Sequence, residues 1–155
     1  MEAIDFRAHR RREKIEWQYN TIQYNTIQYN KDLLLIFKSG RFYNTYGDDS
    51  IILNYLFGYK IIKENKVGFP INSIVKVLNT LEDKKISYEV IDKNENPYGK
   101  KYDNLNNYHN ILNKAYEYQE VKVRVKRVYD KINEITDVGV LDNILKVIED
   151  ELFKW

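Results

Sequence analysis

Five apolar residues in unbroken succession, Leu33 to Phe37, leave this chain few ways to fold. A strand with one wet face alternates apolar and polar residues, and LLLIFK (Leu33–Lys38) does not. It reads instead as a strand buried on both faces. A chain of 155 residues, 43% hydrophobic and 31% charged, is long enough for one domain with a proper core and hardly for two. Ser39-Gly40-Arg41 reads as a turn, and FYNTY (Phe42–Tyr46) alternates as the returning strand. The Asp and Ser side chains of Gly47-Asp48-Asp49-Ser50 are placed to cap a short apolar helix running from Ile51 to about Phe57.

Further on, GYKII (Gly58–Ile62) and KVGF (Lys66–Phe69) flank the polar turn Lys63-Glu64-Asn65, which predicts a hairpin. Pro70 closes that strand. Asn72 or Ser73 caps a helix through Lys84, with Ile74, Val77, Leu78 and Leu81 turned inward. ISYEVI (Ile86–Ile91) alternates as the last strand, and Asp92–Lys101, with Pro97, Gly99 and almost no apolar residue, reads as a linker.

The flanks are of different character. Residues 1–14 form a polar arm with a basic knot at His9, Arg10, Arg11, Arg12 and Lys14. The repeat QYNTIQYNTIQYN follows from Gln18 to Asn30. Its period of five spirals the three tyrosines around a helix, while Ile15, Tyr19, Ile22, Thr26, Tyr29 and Leu33 keep an inward stripe. Beyond the linker, apolar residues recur every three or four positions from Tyr108 to Ile135. That longer window makes VKVRV part of a helix. After Asp137 and Gly139 a second amphipathic helix carries Val140, Leu141, Ile144, Leu145, Ile148 and Leu152. The basic set Lys122, Arg124, Lys126 and Arg127 spreads around the first of these helices and reads as a solvated face.

Much chemistry is excluded. There is no cysteine, so there is no disulfide, thiol nucleophile or zinc–thiolate site. His9 and His109 stand outside any ligand-spaced cluster, and no phosphate-binding glycine loop or nucleophile elbow occurs. Asp48 and Asp49 are accounted for by capping and the helix dipole, not by a metal. The reading is therefore of a non-enzymatic protein without cofactor or metal. No stretch reaches the ~18 apolar residues a membrane helix needs, and the charged start lacks a signal peptide's apolar core, so a cytoplasmic location is expected. Twenty-five Lys plus Arg against 23 Asp plus Glu, a net charge of +2, neither demands nor excludes nucleic acid.

The order of pieces from Asp32 to Asp92 is informative. DLLLIFKSGRFYNTYGDDS, a short helix and VGFPINSIVKVLNTLEDKKISYEVID together resemble the N-terminal mismatch-recognition domain of the MutS family. That family's signature is an apolar strand, then G-D-F-Y-E, a helix start, an A-G-F/V/I-P segment, a helix and a final strand. With the preceding helix, the resemblance spans roughly residues 15–92. It implies that Phe42 is the wedge entering the minor groove and stacking on a mispaired base, and that Asn44 stands where the family has a base-contacting Glu. Wedging unstacks base steps at a cost of a few kcal/mol, less where pairing is already poor, which is how a mismatch is told from intact duplex. Asn44 is a neutral acceptor that can also donate. Arg41 replaces the family's Asp, and a cation there favours general duplex affinity over selectivity. The segment before VGFP is also shorter than in MutS. The connector, clamp and ATPase that MutS also carries are not expected within these 155 residues.

The expectation is an α/β (α+β) fold: a mixed β-sheet of about five strands with surrounding helices, then a C-terminal helical hairpin. Its parts are a basic arm (1–14), the MutS-like domain (15–92), a linker (93–103) and the hairpin (104–155). The expected function is binding of double-stranded DNA, mispaired or bulged, through Phe42, Asn44, Arg41 and the arm residues Arg10, Arg11 and Arg12. The rival is a protein-interaction or homodimerisation module working through the C-terminal helices, an accessory protein of a mobile element or phage. Exposure of Phe42 favours DNA; burial of Phe42 favours the rival.

Overall fold

The computed structural model describes residues 32–155. The basic arm, the QYNTI repeat and the helix expected around it lie outside the described residues. Strand β1 (Leu34–Ser39) turns at Gly40 into β2 (Phe42–Tyr46), and helix α1 (Asp48–Phe57) follows directly. Strand β3 (Lys66–Pro70), helix α2 (Ile74–Asp83), β4 (Tyr88–Ile91) and β5 (Tyr98–Lys100) complete the sheet. Helices α3 (Tyr108–Asn133) and α4 (Val138–Leu152) end the chain. The strand order is β3-β2-β1-β4-β5; β1 and β4 run parallel and every other pairing is antiparallel. This is the expected mixed five-stranded α+β architecture.

The apolar run does what its composition demands. Leu34 and Ile36 point into the larger core with Leu53, Phe69, Leu81 and Val90. Leu33, Leu35 and Phe37 point to the opposite face, with Tyr46 and Ile91 against them. The central strand is thus buried on both sides. Helix α2 turns Val77 and Leu81 inward, as its spacing predicts, with Ile74 and Leu78 packed alongside. Four residues at the start of α3, Tyr108, Ile111, Leu112 and Ala115, are buried.

Three local expectations need correction. First, Asp49 and Ser50 do not cap α1, whose N-cap Gly47 has no side-chain partner. They sew the sheet instead. Asp49 Oδ2 accepts the Leu35 amide at 3.1 Å and Oδ1 accepts the Tyr108 hydroxyl at 2.7 Å. Ser50 Oγ accepts the Val67 amide at 3.1 Å and lies 3.0 Å from Thr45 Oγ1. Buried backbone donors need partners, and here side chains of a helix start supply them.

Second, GYKII forms no strand. Gly58 ends α1 in the left-handed region, Glu64 and Asn65 also take positive φ, and only an isolated bridge joins Ile62 to Lys66. Third, the expected linker contains β5. A Cβ on Gly99 would lie 2.0 Å from the Tyr88 carbonyl oxygen, so the glycine marks a close backbone approach rather than a break. Glu82 of α2 clamps this edge, accepting from Tyr88 Oη at 2.7 Å and from Lys100 Nζ at 3.3 Å. Tyr88's hydrogen bond, with Lys100 assisting, holds the Glu82 carboxyl below its ordinary range.

The chain divides into two compact units, one ending at Ala115 and the other comprising Tyr116–Trp155. The division falls inside α3, whose first turns carry the buried Tyr108, Ile111, Leu112 and Ala115. In the second unit neither helix has a buried residue. Asp137 caps α4 by accepting the Val140 amide at 3.1 Å.

Candidate nucleic-acid interface

The β1–β2 turn is built to present side chains. Gly40 takes φ +60, a region its missing Cβ allows, and the chain reverses within two residues. Phe42 opens β2, paired with Ser39 on one side and Pro70 on the other. The Arg41 carbonyl accepts the Ile71 amide at 3.1 Å, which ties the turn to the end of β3. Arg41, Phe42, Pro70 and Ile71 are all exposed at this tip, Phe42 by 52%. Its neighbour Tyr43, on the other face of β2, is buried and stacks on Phe69 at 5.6 Å, so the strand buries one aromatic and presents the next.

Asn44 shares the face of Phe42 but not its exposure. It is only 7% exposed, opposite Phe37 on β1 and Gly68 on β3. Its amide oxygen leans over Gly68, 2.9 Å from where a Cβ would sit. The bare glycine makes room for the amide. The structure therefore brings Arg41 and Phe42 together at the surface and holds Asn44 beneath them. Arg10, Arg11 and Arg12 lie outside the described residues.

The other residues singled out divide similarly. Lys122, Arg124, Lys126 and Arg127 are exposed on α3, in the second unit, and Lys126 is bonded to Asp130 at 2.8 Å. His109 bonds the Asp32 carboxylate at the surface. Among the described residues no group of three or more side chains is arranged to hold a metal. Nor is any helix there long and apolar enough to cross a membrane. Sequence reasoning missed Ile71, which extends the apolar tip beside Phe42. Pro70 before it signalled only the end of a strand.

An exposed aromatic at the start of β2, the GFP segment pairing with it and the α2–β4 return stand in the order the sequence resemblance implied. Compared with protein-family models, the chain matches MutS domain I over residues 19–135. The chain belongs to the MutS domain I family. The match extends beyond the expected limit near residue 92, taking in β5 and α3, so the edge strand and the long helix are part of the family's domain. A search of curated proteins found no match.

Proposed function

We propose that this MutS domain I protein is a non-catalytic DNA-binding module. Its β1–β2 tip enters the minor groove, and Phe42 wedges between base steps, so mispaired or bulged duplex is preferred to intact duplex. The observation that carries this reading is the 52% exposure of Phe42 at a rigid strand end beside Arg41. A wedge must be apolar, accessible and unable to retreat, and the Ser39 and Pro70 pairings hold the Phe42 backbone on both sides. Arg41 supplies a phosphate contact, and its guanidinium adds affinity that does not depend on sequence. Asn44 is the acceptor one pleat below; to meet a base it must be uncovered as the tip inserts. The arm residues Arg10, Arg11 and Arg12 add further cationic contacts. A cytoplasmic setting accords with this role.

The test is fluorescence anisotropy with a perfect duplex, a G·T mismatch and a one-base bulge, each at two salt concentrations. Wild type should bind the bulge most tightly. Phe42→Ala, an exposed truncation that leaves the core intact, should erase the preference while keeping weak general binding. Arg41→Ala should weaken binding to all three duplexes and reduce the salt slope by about one. Absence of binding to every duplex at low salt would overturn the proposal, as would a preference unchanged in Phe42→Ala.

A further inference from the structure

The second unit carries two matching apolar seams that are covered only in part. On α3, Tyr118, Val121, Val125, Val128 and Ile132 follow one another by three, four, three and four residues. On α4, Val138, Leu141, Leu145, Ile148 and Leu152 follow by the same steps. That spacing is the a and d repeat of a coiled-coil seam, and each run covers about 21 Å of helix. Val121, Val125 and Val128 are 49–55% exposed, and Val138 and Leu152 more so. Ile132, Leu141 and Ile148 are part-buried, so within one chain the seams are covered at these positions and open at the valines and at Leu152.

The flanking charges say what can. Beside the α3 seam, at the positions that meet a partner helix, stand Lys122, Arg124 and Lys131; beside the α4 seam stand Asp142, Glu149 and Glu151. Glu117, at the start of the α3 seam, is the exception. Pairing α3 with α3, or α4 with α4, sets like charges together. Pairing α3 with α4 sets basic flanks against acidic ones in either orientation. Intrahelical pairs already engage Lys131 with Glu134 at 3.6 Å and Asp142 with Lys146 at 2.8 Å, but all four groups are more than half exposed and can exchange partners at little cost.

We infer that the occupant of these seams is a second copy of this chain: α3 of each protomer packs on α4 of the other, giving a two-fold symmetric four-helix interface. The contact is self-complementary, as a closed dimer requires, and it is independent of whether the Phe42 tip binds DNA.

Sedimentation equilibrium of the full chain, without DNA, tests this from low-micromolar to sub-millimolar concentration. Wild type should dimerise. The triple variant Lys122→Glu, Arg124→Glu, Lys131→Glu should weaken the dimer on the order of a hundredfold. So should the triple variant Asp142→Lys, Glu149→Lys, Glu151→Lys. Circular dichroism should show both variants folded, since every changed side chain is exposed. Mixed one to one, the two variants should form a heterodimer, because each then offers the other opposite charges at both contacts. A wild type that stays monomeric throughout, reversal variants that dimerise as wild type does, or a mixture that fails to associate would each overturn the inference.

Discussion

The two units spend their apolar residues differently. In the sheet unit, Leu33 to Phe37 are buried on two faces of one strand, and the polar atoms that enter with them are partnered. In the second unit, residues of the same kind at equally regular spacing are exposed or at most part-buried. Composition does not separate them. A strand in the middle of a sheet meets neighbours on both edges and layers on both faces, whereas a helix hides its stripe only if another surface comes to it. The contrast teaches that periodicity shows which face wants cover and not whether this chain supplies it.

The sharpest way to break that contrast is by truncation. Phe69→Ala removes a fully buried ring stacked on both Tyr43 and Tyr59 and should cost about 3–5 kcal/mol. Val125→Ala should change the stability of dilute protein by less than about 0.5 kcal/mol. Chemical denaturation measures both, and comparable losses would mean that the second unit has a core after all. Next in size is Asp49→Ala, which leaves the Leu35 amide and the Tyr108 hydroxyl without this acceptor inside the protein. A loss of about 2–3 kcal/mol is expected. A neutral result would show that these donors find another partner when the carboxylate is gone.

The smallest effect concerns the edge clamp. Glu82's carboxyl is held below its ordinary range, so its stabilisation is whole above that range and fades as pH falls through the lowered value. Tyr88's phenol is pushed the other way, first by burial and then by Glu82. Its share is whole below the ordinary phenol value of 10.0 and fades as pH rises past it. Melting temperatures across pH should therefore decline at both ends. Glu82→Gln should flatten the acid limb; an unaltered acid limb would mean that the clamp is idle.

Much of the sheet was legible because its signals are local. An unbroken apolar run, a glycine turn, alternation in FYNTY and the spacing of α2 each point to one structure. What was not legible depended on distant residues. Nothing around Asp49 tells that its oxygens serve β1 and α3 rather than its own helix, since the Tyr108 hydroxyl is 59 positions away. Gly99 looks like punctuation until Tyr88 is seen against it. GYKII reads as the first strand of a hairpin, yet only the Ile62–Lys66 bridge of that hairpin forms. At the site, Phe42 and Arg41 were singled out through family resemblance, and both are exposed. The burial of Asn44 could not be read, because it depends on Gly68 across the ladder.

The bond between Asp49 and Tyr108 also orders events in time. The central strand pairs in parallel with β4, and its Leu35 amide rests on a carboxylate whose other oxygen needs a hydroxyl from the start of α3. Contacts this remote in sequence form late, after the entropy of closing a long loop has been met. A chain still being synthesised can make the β1–β2 hairpin early, Phe42 included, but cannot complete the Asp49 contacts behind it until Tyr108 has emerged. LLLIFK is covered by residues from Tyr46 to Ile91, so until β4 has emerged the hairpin is displayed with that apolar run open to aggregation.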